Sequence, residues 1–219
     1  NKSSNIYLKS VKKENSKYKI FVKVDNLNKY FYFSTPYEND IKNLLAAIAV
    51  ISIFKDIKKL DNNIFYKHQI PDGRGDISHI KLLKKNFYLI DQSYNSNPMS
   101  MRSALKNFDM IKTKSSKKHL ILGDMLELGK YAKKLHLKVV NDINKTSIIN
   151  VNVFGKYMSD SFRALRESKK GSILKDKSEI INLIKNNINN NDYLMIKGSN
   201  STGLNKLTSD IKKGKINAL

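Results

Sequence analysis

The sequence predicts an α/β fold: an open, mostly parallel sheet with helices on both faces, preceded by the end of a smaller α/β unit. Three observations carry this. After residue 76 the chain repeats a strand–loop–helix pattern, the alternation that builds a parallel sheet with helical crossovers. The strand segments are rich in Ile, Leu and Val with little polar alternation, which suits burial on both faces. Ahead of them, Pro71-Asp72-Gly73-Arg74-Gly75-Asp76 interrupts every periodic pattern and marks a domain boundary.

In chain order, residues 6–11 and 18–24 cluster Ile, Tyr, Leu, Val and Phe and read as strands. Tyr30–Ser34 is a third, with Asn26–Lys29 as the hairpin turn before it. Asn39–Lys55 reads as a helix. Ile41, Leu44, Leu45 and Ile48 give the helical spacing, while Ala46, Ala47, Ala49 and Val50 make it apolar almost all round, the pattern of a helix buried on several sides. Ile57–Tyr66 reads as a weaker helix. Beyond the break, strand Phe87–Ile90 leads into a helix that begins at Asn97-Pro98, an N-cap followed by proline at the first helical position. Met101, Ala104, Leu105 and Phe108 form its apolar face. Leu120–Leu122 leads through Gly123 to a helix near Tyr131–Ile143. Ile149–Phe154 leads through Gly155 to one near Met158–Glu167. Ser172–Leu174 leads to one near Ile180–Asn187. Tyr193–Ile196 leads through Gly198 to a last helix near Leu204–Lys213. The Asn-rich stretch 186–191 is a loop.

Composition narrows the class of function. A chain of 219 residues with 40% hydrophobic residues is long enough for a large domain or two small ones, each with a core. It has no cysteine, which excludes disulfides and thiolate metal sites and permits a reducing compartment. The longest apolar run, Leu44–Phe54, falls well short of the ~20 residues of a membrane-spanning helix. The first ten residues lack the apolar stretch of a signal peptide. The chain has no starting Met and opens into strand-like sequence, so we expect it to be the C-terminal part of a longer protein. Its formal charge is +22, from 41 Lys+Arg against 19 Asp+Glu. The lysines are scattered in pairs, such as Lys12-Lys13 and Lys133-Lys134, beside abundant Asn. With no groove-reading motif, this favours compositional bias over a specific nucleic-acid surface.

The residues that could carry chemistry cluster after the strands. Asp91, at a strand's C-terminal end, is placed to accept hydrogen bonds from ribose hydroxyls, to hold a metal, or to shape a turn. Tyr94 could stack on a base or cover the helix. Asn95 and Asn97 could meet a ligand, although Asn97 has a sufficient role as the N-cap. Arg74, between two glycines, could hold a phosphate through paired donors or stand solvated in a surface turn. Asp124 and Glu127 could meet a cationic group or could be first-turn acids favoured by the helix dipole. Lys197 and Ser199, in Lys197-Gly198-Ser199-Asn200-Ser201, could seat an anion at a helix N-terminus or form an ordinary turn. There is no phosphate-binding G-x-x-x-x-G-K-[ST], no G-x-G-x-x-G after a strand and no G-x-S-x-G. His68, His79, His119 and His136 show no metal-ligand spacing, and zinc is not expected. His136 reads as a packed histidine.

The order of these segments resembles one family. Asp91-Gln92-Ser93-Tyr94-Asn95-Ser96-Asn97-Pro98-Met99-Ser100-Met101 is similar to a D-[DS]-[SC]-Y-N-A-N-P-x-S-M signature of the Mur ligases. Gly123-Asp124-Met125-Leu126-Glu127-Leu128-Gly129 resembles their G-D-M-x-E-L-G segment, and His136 falls where they have a histidine. Lys197-Gly198-Ser199 resembles their late K-G-S turn. Asn39–Ala47 resembles the H-N-x-x-N-A-L-A-A helix of their central domain, with Asn39-Asp40 in place of the His-Asn pair.

The resemblance implies an ATP-dependent, amide-forming ligase of peptidoglycan precursor synthesis, one that joins D-alanyl-D-alanine to UDP-N-acetylmuramoyl-tripeptide. ATP phosphorylates the peptide carboxylate, the incoming amine attacks the acyl phosphate, and ADP and phosphate leave. On this reading residues 1–72 are the end of the central ATP-binding domain and 73–219 the Rossmann-like C-terminal domain. Asn43 would contact adenine, Arg74 the ATP phosphates when a hinge near Pro71–Asp76 closes, and Asp91 the ribose, with Tyr94 and Asn95 on the same edge. Asn97, Asp124, Glu127, Lys197 and Ser199 would face the peptide substrates. The P-loop and the ligands of Mg2+ would lie upstream, so this chain alone is not expected to turn over ATP. A cytoplasmic monomer goes with the resemblance. The rival expectation is a stand-alone Rossmann-like module that binds a nucleotide or anion without catalysis.

Overall fold

A computed structural model describes residues 5–67, 71–113 and 115–216. The chain divides into two compact units, Asn1–Gln69 and Ile70–Leu219.

The first unit is an antiparallel meander of β1 (Ile6–Glu14), β2 (Lys17–Val24) and β3 (Leu27–Phe33), with one helix, α1 (Glu38–Phe54). Val24 pairs with Leu27, so the second turn is only Asp25-Asn26, shorter than the Asn26–Lys29 turn expected. Asp25 takes a positive φ of 50°, a conformation that Asp and Asn tolerate. Strand alternation places Ile20, Val22, Phe31 and Phe33 on one face, buried with Ile41, Leu44 and Ile48 of α1. The opposite face carries Phe21, Tyr30 and Tyr32, with the Lys19 ammonium 4.0 Å from the Tyr30 ring centre.

Two expectations fail here. Helix α1 is buried on one face only; Val50, Ile53 and Phe54 are exposed, the last two by 75% each. A three-stranded sheet with a single helix has no second layer to cover them. Residues 57–66 form a 3-10 turn (Ile57–Lys59) and further turns rather than a helix. Asp56 and Asp61 each accept a hydrogen bond from the amide two residues on, Lys58 and Asn63. Such side-chain bonds compete with the helical ladder.

The second unit is a six-stranded sheet in the order β4-β5-β9-β6-β7-β8. Its strands are β4 (Asp76–Leu82), β5 (Lys85–Gln92), β6 (Lys118–Gly123), β7 (Val151–Phe154), β8 (Lys170–Leu174) and β9 (Tyr193–Lys197). Only β4–β5 is antiparallel. Strand β4 escaped the sequence reading because its hairpin turn, Leu83-Lys84, has positive φ at both residues without the Asn or Gly that announces such a turn. Leu83 packs on the core, and that burial favours the strained turn.

Helices cover both faces, as expected. On one, α2 (Pro98–Asp109), α3 (Ala132–Ile143) and α4 (Lys156–Phe162) pack Leu105, Phe108, Val140 and Met158 over Leu120, Leu122 and Val153. On the other, α5 (Lys177–Asn187) and α6 (Leu204–Lys212) pack Ile180, Ile184, Leu207 and Ile211 over Leu89, Ile121 and Leu194. Each fully buried large aliphatic or aromatic side chain contributes about 1.5–3 kcal/mol. At the N-terminal ends of the strands the buried Asp192 accepts from the amides of Lys117 and Asn189 and pairs with the buried His119 at 3.1 Å.

Candidate functional site

Strands β5 and β6 send their chains to helices on one face, and β9, which lies between them, sends its chain to α6 on the other. The loops diverge over the C-terminal ends of these three strands. This is the switch-point crevice where open α/β sheets bind ligands.

Hydrogen bonds pin the three loops together. The Lys197 ammonium donates to the Asn95 carbonyl at 2.9 Å. The Ser199 hydroxyl accepts from the Leu126 amide at 2.9 Å and donates to the Ser96 carbonyl at 3.3 Å. The Ser199 amide donates to the Asp124 carbonyl at 3.0 Å. Gly123 and Gly198 face each other across adjacent strands; a Cβ on Gly198 would stand 3.1 Å from the Gly123 Cα. The glycines expected after the strand ends thus permit the close approach of β6 and β9. Lys197 is 1% exposed, and burial pushes its pKa down to about 8. The Ser96 hydroxyl, at the same junction, is the buried side-chain polar atom without a partner among the described residues.

One edge of the crevice gathers Arg74, Asp91 and Tyr94. Asp91 is 3% exposed, and both its oxygens are engaged. Oδ1 accepts from the Ser93 amide at 3.0 Å and hydroxyl at 2.5 Å, and Oδ2 meets the Lys212 ammonium at 2.8 Å. The geometry is that of a turn aspartate. The Arg74 guanidinium lies over the Tyr94 ring at 4.5 Å, and both side chains face solvent. Within the segment Pro71–Asp76, where a hinge is expected, the glycine turn is bonded to this unit: Gly75 donates to the Asp91 carbonyl at 2.6 Å, and Tyr94 to the Gly73 carbonyl at 3.1 Å.

Asn97 is the N-cap of α2, in a reciprocal capping box with Ser100. Asp124 and Glu127 are not brought together. Asp124 is buried and caps a helix, though not the one that follows it; its oxygens accept from the Tyr157 and Met158 amides of α4 at 3.2 and 2.8 Å. Gly155, with φ 102°, allows this: a Cβ there would fall 2.6 Å from the Asp124 carboxyl carbon. Glu127 is exposed in a left-handed conformation. His136 is packed, as expected. Its Nε2 accepts from the Met125 amide at 2.9 Å, so the ring proton is on Nδ1, which donates to the Ala132 carbonyl at 2.7 Å. Asn43 is an exposed residue of α1 in the first unit. His68 lies outside the described residues.

The sequence reading missed Lys212. Its ammonium joins Asp76 at 2.6 Å, Asp91 at 2.8 Å and Asp72 at 3.5 Å. Burial works against its charge, but hydrogen bonds to Asp76 and Asp91 and their charges outweigh this and raise its pKa. One lysine among 41 basic residues carries no local sign of partners more than a hundred residues away.

Sheet order, switch-point crevice and pinned loops define a Rossmann-like α/β domain. The chain belongs to the Mur ligase family: residues 79–200, more than half of its length, match the family described as Mur ligase, glutamate ligase domain. It is 30% identical over 232 aligned residues to the UDP-N-acetylmuramoyl-tripeptide–D-alanyl-D-alanine ligase of Buchnera aphidicola subsp. Acyrthosiphon pisum, covering 97% of this chain and 48% of that protein. It is 27% identical to the ligase of the same name from Rickettsia prowazekii, covering 82% of this chain and 39% of that one. The chain thus spans about half the length or less of these curated relatives. Its fold resembles the MurF ligase of Thermotoga maritima in complex with ADP (TM-score 0.74, 15% identity, 97% of this chain and 47% of that one). It also resembles MurF of Acinetobacter baumannii (TM-score 0.76, 19% identity, 97% and 46%).

Proposed function

We propose that this chain is the C-terminal part of an ATP-dependent ligase that joins D-alanyl-D-alanine to UDP-N-acetylmuramoyl-tripeptide in cytoplasmic synthesis of peptidoglycan precursors. The observation that carries the reading is the meeting of three family segments, Asp91–Pro98, Gly123–Gly129 and Lys197–Ser199, at one switch-point crevice. The exposed apolar face of α1 supports assigning residues 1–72 to the end of a larger ATP-binding domain, with 73–219 as the C-terminal domain. A face of that kind is covered in a complete domain.

Bound ATP supplies the phosphoryl group that converts a poor acyl donor, the peptide carboxylate, into an acyl phosphate. The residues present fit the nucleotide in part. Arg74 and Tyr94 offer a planar cation on an aromatic ring, both open to solvent, which suits a phosphate contact. Asn95 is exposed beside them. Asp91 acts by shaping this edge, since both its oxygens are engaged. Asp124, Lys197 and Ser199 hold the loops that meet the peptide, leaving Glu127 and the exposed edge of Asn97 to face it. Asn43 is free to meet adenine. Among the described residues no group of three or more His, Cys, Asp or Glu could hold a metal; the proposal leaves the Mg2+ ligands to the rest of the ligase.

In the ligase that contains this region, Arg74→Ala is expected to lower kcat/KM for ATP roughly a hundredfold while the unfolding midpoint stays unchanged. Unaltered ADP release would remove Arg74 from the site. The 219-residue chain by itself is expected to form no ADP from ATP, tripeptide substrate and D-alanyl-D-alanine; turnover by it would overturn the assignment as a part of the enzyme.

A further inference from the structure

Helix α6 places Thr208 and Lys212 one turn apart, so both side chains fall on the same face. Thr208 meets the Ser93 hydroxyl at 3.0 Å, and that hydroxyl holds Asp91 Oδ1. Lys212 holds Asp91 Oδ2 and Asp76 Oδ2. Asp76 in turn accepts the Gly73 amide at 2.9 Å through its other oxygen. The turn between Asp72 and Asp76 is therefore tied to α6 at its Asp76 end by this ammonium group, with the exposed Asp72 at 3.5 Å, and Arg74 stands at its tip. The backbone of the turn is also bonded, Arg74 donating to the Pro71 carbonyl at 3.2 Å and Gly75 to the Asp91 carbonyl at 2.6 Å. The Arg74 guanidinium lies on Tyr94, whose amide is itself bonded to the same turn. The turn is tightly packed as well, since a Cβ on Gly73 would fall 2.8 Å from the Tyr94 Cβ and 3.0 Å from its amide nitrogen.

We propose that Lys212 is a positioning residue for Arg74. It draws three carboxylates, from the turn and from β5, onto the last turn of α6, and so sets where the guanidinium stands over Tyr94. Without the ammonium, Asp76 and Asp91 become neighbouring anions with no cation between them. Their repulsion opens the turn and releases Arg74. Thr208 supports the same arrangement through Ser93. The functional half of this inference rests on the reading of Arg74 as a phosphate contact.

The test has two arms. In the 219-residue chain, NMR follows the Arg74 side-chain signal, displaced by the Tyr94 ring, together with amide exchange at Gly73, Gly75 and Tyr94. Lys212→Met is expected to abolish the displacement and speed exchange at these three amides at least about tenfold. Amides of β6 and β7 keep their protection. Lys212→Arg restores both signals, because a guanidinium can bridge the same carboxylates, and Thr208→Val shifts them the same way by less. An unchanged Arg74 signal in Lys212→Met overturns the proposal. In the ligase that contains this region, Lys212→Met raises KM for ATP at least about tenfold with a smaller change in kcat. Mere loss of folded enzyme would lower the maximal rate and leave KM alone, and that outcome also overturns it. Should Arg74→Ala leave KM for ATP unchanged while the NMR arm holds, the phosphate reading of Arg74 falls and the anchoring by Lys212 stands.

Discussion

Asp124 and Glu127 show how far residue type can mislead at the scale of single side chains. Three positions apart, they read as a pair. In the fold one is a buried cap and the other an exposed loop acid. Asp124→Ala removes the acceptor for two amides of α4 and is expected to cost about 2 kcal/mol in urea unfolding. Glu127→Ala is expected to stay within about 0.5 kcal/mol. Equal losses would contradict the capping role. His119 provides a pH signature at the same scale. Burial lowers its pKa, and the hydrogen bond and charge of Asp192 oppose this only in part. The folded state therefore binds protons less readily than the unfolded chain. Its contribution is complete above the unfolded value of about 6.5 and declines as pH falls through the folded value. Unfolding free energy should drop on acidification from pH 7 to 5, and His119→Asn should flatten part of that slope. An identical slope in both proteins would remove His119 as a cause.

At the scale of elements, the parallel strands and most helices of the second unit were legible because their signals are local. Continuous apolar runs mark β5, β6, β7 and β9, and the Asn97-Pro98 start marks α2 to the residue. Asn97→Ala is expected to destabilise the protein by about 1 kcal/mol through loss of that cap, with amide exchange rising first at Ser100. Other elements hid for physical reasons. Strand β4 ends in a turn with positive φ at Leu83 and Lys84, where a half-buried Leu83 packs on the core in place of the usual Asn or Gly. The segment after α1 has helical spacing, yet Asp56 and Asp61 divert the amides a helix needs. Helix α1 reads as buried on several sides because composition reports the apolar faces a helix has, not the layers available to cover them.

The whole molecule is two compact units with separate cores. The second holds two core clusters on the two faces of a six-stranded sheet, the first a single cluster under one helix. Residues 70–219 expressed alone are expected to keep the unfolding midpoint of the second unit within about 3 °C. Residues 1–69 alone are expected to be marginal, as small single-core units are. A large loss of midpoint in the longer piece would show that its stability depends on the first unit.

The sequence by itself determined the fold class, the order of strands and helices from β5 onward, and the family segments that carry the resemblance. All of these depend on periodicity or on residues adjacent in the chain. Only the tertiary structure decided which side chains are free. Asp91 and Asp124 turned out to be engaged within the protein, Arg74 and Tyr94 stayed open to solvent, and Lys212 entered the site from the far end of the chain. Hydrogen bonds and ion pairs between residues a hundred positions apart depend on how strands are ordered in the sheet. That order follows from burial of the whole apolar surface and not from any local segment.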